Sequence, residues 1–160
     1  MSAQPIGMPT TNAARQLWLI VPGATPSTVQ IPIVKFDEKP KQTRRSWKRT
    51  QSNGVVASEG LITAYERSHE VETRAFQTTG TTPALLNALA YLLAMKGKTG
   101  LAANANFVLV DPADGSKQQL NCDVMQLITL AGEEDNETIF KFTLYENGVP
   151  TDYTGTLTEV

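Results

Sequence analysis

Apolar residues recur with a period of two along most of this chain, and with a helical period in only one stretch, residues 82–96. Side chains alternate across a strand but repeat every ~3.6 residues on a helix. The chain therefore has to bury a sheet, with one helix laid upon it. Residues 15–21 (RQLWLIV) are a short apolar run, and residues 28–36 (TVQIPIVKF) set Val29, Ile31 and Ile33 on one face. Pro32 cannot donate a ladder hydrogen bond, which places this second strand at an edge or bulges it there. Strand character returns at 61–65, 70–77 and 106–111, and at 118–130, where Leu120, Cys122, Val124, Ile128 and Leu130 share a phase. In residues 138–146 (TIFKFTLYE), Phe140, Phe142 and Leu144 lie on one face. Asn147-Gly148 is a two-residue hairpin signal, with 149–157 as the returning strand.

The helix is marked at both ends. Thr82 is a suitable N-cap and Pro83 occupies the first helical position. Leu85, Leu86, Leu89, Leu92 and Leu93 follow at i, i+1, i+4, i+7 and i+8, a single apolar stripe. Lys96 suits the negative end of the helix dipole, and Gly97 can close the helix in a left-handed conformation. The expected architecture is mostly β within an α+β class: sandwich or barrel-like antiparallel sheets with one flanking helix at about 82–96. Residues 1–12 read as an N-terminal arm and 13–160 as one domain.

Catalytic and metal-binding motifs fail their tests. A single Cys and a single His exclude an intrachain disulfide and any site built from several of these ligands. Gly97-Lys98-Thr99 is like the end of a phosphate-binding loop, but Leu92 stands where the first glycine belongs, and the segment follows a helix rather than opening one. Residues 111–115 have the outline of a calcium loop, yet Ala113 replaces a ligand and Cys122 stands where the bidentate Glu should be. His69 has no nucleophile placed near it by motif, and Cys122 reads as a small core residue. No enzyme activity and no cofactor are expected. No apolar stretch approaches the ~20 residues that span a bilayer, and residues 1–12 lack the basic and apolar parts of a signal peptide, so no membrane partner is expected.

Charge carries the remaining information. The chain holds 14 basic and 16 acidic residues. Only Lys117 and Lys141 of the basic ones lie beyond residue 98, against 10 acids there. The basic residues concentrate in a stretch from Lys35 to Arg49, and residues 37–53 show no sustained apolar periodicity, reading as a long charged loop. Lys41, Arg44, Arg45, Lys48 and Arg49 interleaved with Trp47 fit two partners. Guanidiniums and an indole can hold a nucleic acid strand, or they can dock a loop on an acidic protein surface. The acidic turn Glu133, Glu134, Asp135 and Glu137 is such a surface within the same chain, and a candidate channel lining. This favours self-association over DNA binding.

Two strands, a long charged loop, further strands, a helix after a Thr/Gly/Pro-rich turn, and closing hairpins follow a short arm within about 160 residues. In this order the chain resembles the tail tube proteins of tailed bacteriophages, whose fold is shared with secretion-system tube proteins. The resemblance implies a non-enzymatic virion protein that is made in the host cytoplasm. It implies hexameric rings stacked into a tube, contacts with other tail proteins, and DNA passing through without specific binding. It also implies that the loop at 39–53 reaches a neighbouring ring, with Lys41, Arg44, Arg45, Trp47, Lys48 and Arg49 as an assembly contact. Two alternatives stand beside it. One is another phage structural protein, such as a tail terminator, head–tail connector or capsid decoration protein. The other is a small nucleic-acid-binding module using the basic residues at 39–49.

Overall fold

In the computed structural model, which describes residues 15–75, 80–130 and 138–157, seven strands form one antiparallel sheet. They are β1 (Gln16–Val21), β2 (Ser27–Ile31), β3 (Ile33–Thr50), β4 (Val56–Arg74), β5 (Asn104–Val110), β6 (Lys117–Leu130) and β7 (Ile139–Asp152). Their spatial order is β2-β1-β5-β6-β7-β4-β3. The mostly-β class with one helix is as the sequence predicts. Residues 1–12 and the acidic turn Glu133, Glu134, Asp135 and Glu137 lie outside the described residues.

The two outermost strands, β2 and β3, are consecutive in the chain and separated by Pro32 alone. A single residue spans only a few ångströms, so the two edges of the sheet must meet at this corner, and the sheet rolls into a barrel-like shell. The carbonyl of Pro32 accepts a hydrogen bond from Thr73 Oγ1 at 2.6 Å, which ties the corner to β4. Proline thus breaks the expected strand at 28–36 into two, because it lacks the N–H that a continuous ladder needs.

The inward face of the shell is the core. Leu17, Leu19, Val29 and Ile31 face Phe107, Leu120, Cys122, Phe142 and Leu144 across it, and all are buried. Helix α1 (Pro83–Leu93) packs on β2 and β1, adding Ala88 and Leu92, with Met95 just beyond its end. Leu89 is buried beside this stripe, while Leu93 sits at its exposed margin. Thr82 occupies the N-cap position through its carbonyl, which accepts from Leu86 N, and its side chain makes no cap. Gly97 adopts φ +71° after the last turn, the conformation its type permits cheaply.

Four predicted features differ. The charged segment 37–53 is not a loop. Residues up to Thr50 belong to β3 and pair with β4, from Lys35↔Glu72 out to Thr50↔Val56. The expected strand at 61–65 and residues 70–74 of that expected at 70–77 are likewise parts of one strand, β4, while 76–77 lie outside the described residues. Asn147-Gly148 does not turn the chain. β7 runs through it, with Gly148 at φ +74° inside a bulge opposite Gln119 and Asn121. A bulge also interrupts β6 between Met125 and Ile128, with Gln126 at φ 54°. The extra residue flips the phase, so Leu127 is buried and Ile128 is exposed, opposite to strict alternation.

Candidate assembly surface

β4 pairs with β7 only from Arg74↔Ile139 to Ser68↔Tyr145. Beyond Ser68 it continues with β3 alone, and the two strands leave the barrel as an arm. From Pro40 to Thr50 the arm extends about 35 Å at the rise of a strand. A turn at its tip is closed by Gly54 N donating to Gln51 O at 3.0 Å and Gln51 N to Val55 O at 2.8 Å, with Gly54 at φ +82°.

The arm has no dry face. Every β3 residue beyond Phe36 is exposed. Register assigns its side chains to two surfaces. Lys41, Arg45, Trp47 and Arg49 share one of them with Leu61 and Glu59; Arg44 and Lys48 share the other with Ile62 and Tyr65. The predicted contact residues are therefore brought onto one arm but split between its two faces. Trp47 is 44% exposed and Ile62 56%. Arg49 lies 3.7 Å from Glu59, whereas Lys41, Arg44, Arg45 and Lys48 form no ion pair among the described residues. Gly60 lets the strands and the Arg44 side chain come close: a Cβ there would lie 2.9 Å from the Arg45 carbonyl and 2.8 Å from the Arg44 guanidinium.

At the root of the arm, inward positions that are apolar elsewhere carry charge. Glu146 continues the row of Phe142 and Leu144, and Arg67 continues that of Val71 and His69. Arg67 donates from Nε and from Nη2 to the Glu146 carboxylate, the latter at 2.8 Å, and from Nη1 to Glu38 Oε1 at 3.4 Å. His69, fully buried, places Nε2 3.2 Å from Glu146 Oε2 and its ring 5.0 Å from that of Phe36. Burial pushes the Glu146 carboxyl up, but hydrogen bonds from Arg67 and His69 and the adjacent guanidinium outweigh this and hold it at about 2. The same carboxylate raises the pKa of Arg67. Burial, with Glu146 nearby, pushes the Cys122 thiol up to about 12, consistent with a core residue rather than a nucleophile. Sequence reasoning missed this cluster. Its signal was present, as charged residues in phase with buried apolar ones.

Where β4 and β7 diverge, a cleft of about 760 Å³ opens, lined by Tyr65, Glu66 and Arg67 from β4 and by Glu146, Val149 and Pro150 from β7. On the outward face of β5 and β6, Asn104, Asn106 and Asn121 form an amide network. Asn121 Nδ2 donates to Asn104 Oδ1 at 2.8 Å and to Asn106 Oδ1 at 2.9 Å, and Asn104 Nδ2 to Asp123 Oδ1 at 3.0 Å. Among the described residues, no three metal-ligating side chains cluster, and no helix is long and apolar enough to cross a membrane. Segment 111–115 is a turn, with Gly115 N donating to Asp111 O at 2.9 Å.

No family model and no curated protein matches the chain by sequence. Solved structures do match its fold. One is the tail of an empty gene transfer agent particle of C6 symmetry, 11% identical, covering 91% of this chain and 100% of that one, with a TM-score of 0.60. A second is a chain of the native gene transfer agent virion, 12% identical, covering 86% of this chain and 95% of that one, with a TM-score of 0.50. The fold is thus one found in particle tails, in line with the tail-tube resemblance read from the sequence.

Proposed function

We propose that this chain is a structural, non-enzymatic subunit of a phage-like particle. Its copies would form stacked hexameric rings, a tail tube through which DNA passes. The observation that carries this reading is the arm: two strands projecting about 35 Å from the barrel, wet on both faces, with Lys41, Arg44, Arg45 and Lys48 free of ion pairs among the described residues and Trp47, Leu61, Ile62 and Tyr65 exposed. A two-stranded ribbon is marginal alone, and clustered exposed apolar side chains mark an interaction surface. The likeness to a tail solved with C6 symmetry supports six-fold rings. The amide-rich outward face suits a channel for a polyanion, since each Lys or Arg on phosphate would add salt-dependent affinity and retard passage. Residence in the virion tail, with other tail proteins as partners, follows from the same reading.

One observation favours a second reading. Lys41, Arg45, Trp47 and Arg49 line one arm face at strand spacing, a pattern that also suits a single nucleic acid strand. Negative-stain electron microscopy of the purified protein with a DNA gel shift separates them. Tubes or stacked rings without a shift support the tube subunit. Isolated rings point to a terminator or connector, and monomers that shift DNA to a nucleic-acid module.

A further inference from the structure

We propose that the cleft between β4 and β7 is the surface that receives the basic arm of a second copy of this chain. The inference rests on the self-assembling reading above and names the surface that the arm meets.

The cleft exists because β4 and β7 part company at Ser68↔Tyr145. Past that point β4 follows the arm, while β7 bends through its bulge at Gly148 alongside β6. The facing backbones of the two strands are no longer paired to each other there, so an incoming extended segment meets ladder groups that no strand among the described residues takes up. The side chains give the cleft its chemistry. Of its charged lining residues, Glu66 and Glu146 outnumber Arg67, and Arg67 is already engaged by Glu146 and by Glu38 beside the cleft. Glu66 accepts a hydrogen bond from the Tyr145 hydroxyl at 3.3 Å but, among the described residues, forms no ion pair, even with Lys41, which lies opposite it in the register. Tyr65, Pro150 and the exposed Val149 supply an apolar wall.

The arm carries the complement. Among the described residues, Arg44, Arg45 and Lys48 are cations without ion-pair partners, and Trp47 is a half-exposed indole among them. These residues lie well out along the same arm whose root forms the cleft, so they cannot fold back onto their own cleft. A second copy can present them. The donor and receiving surfaces are different parts of one chain, which makes the contact heterologous and able to close into rings or continue as a stack. Opposite charge would speed docking and fix its orientation.

The test is a charge exchange. Glu66 is exposed, so Glu66→Arg leaves the core untouched, which circular dichroism verifies. Assembly of Glu66→Arg, followed by light scattering at low salt, is expected to slow on the order of tenfold or more. The double variant Glu66→Arg/Arg45→Glu is expected to recover most of the wild-type rate. A Glu66→Arg protein that assembles at the wild-type rate, while Arg44→Glu/Arg45→Glu does not assemble, overturns the cleft and leaves the arm reading standing. Failure of the wild-type chain itself to assemble overturns both. Cross-linking gives a second readout that does not depend on the charge variant. With Ser46→Cys and Val149→Cys in one chain, and native Cys122 buried, a short bismaleimide is expected to yield a ladder of linked subunits from assembled protein. Assemblies that give no ladder contradict the proposal.

Discussion

Arg67 donates two N–H groups to the carboxylate of Glu146, joining β4 to β7 at the point where the arm leaves the barrel. The pair sits at inward positions, with Glu146 side chain 6% exposed and Arg67 18%. It links the two strands one residue beyond Ser68↔Tyr145, the last position at which they pair.

This pair makes stability depend on acid. The Glu146 carboxyl is held at about 2 against an ordinary value of 4.5. A carboxylate depressed in the folded state contributes stability that is complete above its unfolded value and is lost as pH falls through the folded one. The contribution of this site is therefore constant above about pH 4.5 and fades toward pH 2. Arg67→Met leaves a buried carboxylate without its cation and is expected to cost about 3–5 kcal/mol at pH 7. Protonating that carboxylate relieves the loss, so the gap between variant and wild type should narrow on acidification. Urea titrations from pH 7 to pH 3 check this; a gap independent of pH would contradict it.

The barrel corner depends on a buried hydroxyl. Thr73, 1% exposed, donates to the Pro32 carbonyl. Thr73→Val keeps the shape, removes the donor, and should cost about 1–3 kcal/mol in chemical denaturation. A loss below a few tenths would mean that the corner is held by packing alone.

Leu92 is 2% exposed and belongs to the core shared with the sheet. Leu92→Ala is expected to lower unfolding free energy by about 2–5 kcal/mol. Leu93, at the exposed margin of the same helix, should tolerate Ala at well under 1 kcal/mol, roughly its helix-propensity difference. Equal losses at both positions would mean that the helix face has been misassigned.

Trp47 is the expected energetic anchor of assembly, because an indole buries a large area while exposed charges contribute little singly. Trp47→Ala should melt within a degree or two of wild type, since the side chain packs on nothing in the core, yet fail to polymerise in size-exclusion chromatography. Wild-type assembly should also slow as salt rises from ~0.05 to ~0.5 M, where screening shortens the reach of the arm cations. Salt-independent assembly would argue for a contact made elsewhere.

How much of this was legible depends on which faces are dry. Where one face is buried, as in Phe142, Leu144 and their neighbours, alternation stands out and the strands are readable. Pro83 and the leucines made α1 readable for the same reason. The arm was not readable as strand because both of its faces are wet, and without a buried face residues such as Lys41 to Arg49 show no period. Asn147-Gly148 misled because a positive φ at Gly148 serves a bulge as well as a hairpin turn. Leu127 was displaced from the expected phase by a bulge that its local sequence does not announce. The basic residues from Lys41 to Arg49 do lie together on one arm, but their division between its two faces follows from the register with β4. The Arg67–Glu146 pair joins positions 79 residues apart, and only the phase of each residue within its own strand hinted at it.

The central claim, that copies of this chain assemble through the arm, is tested most directly by negative-stain electron microscopy of wild type beside Arg44→Glu/Arg45→Glu at low salt. The two arginines lie on opposite arm faces, so the variant reverses charge on both while leaving the buried core unchanged. The account predicts stacked rings or tubes for wild type and only single folded subunits for the variant. Tubes from both proteins, or from neither, would contradict it.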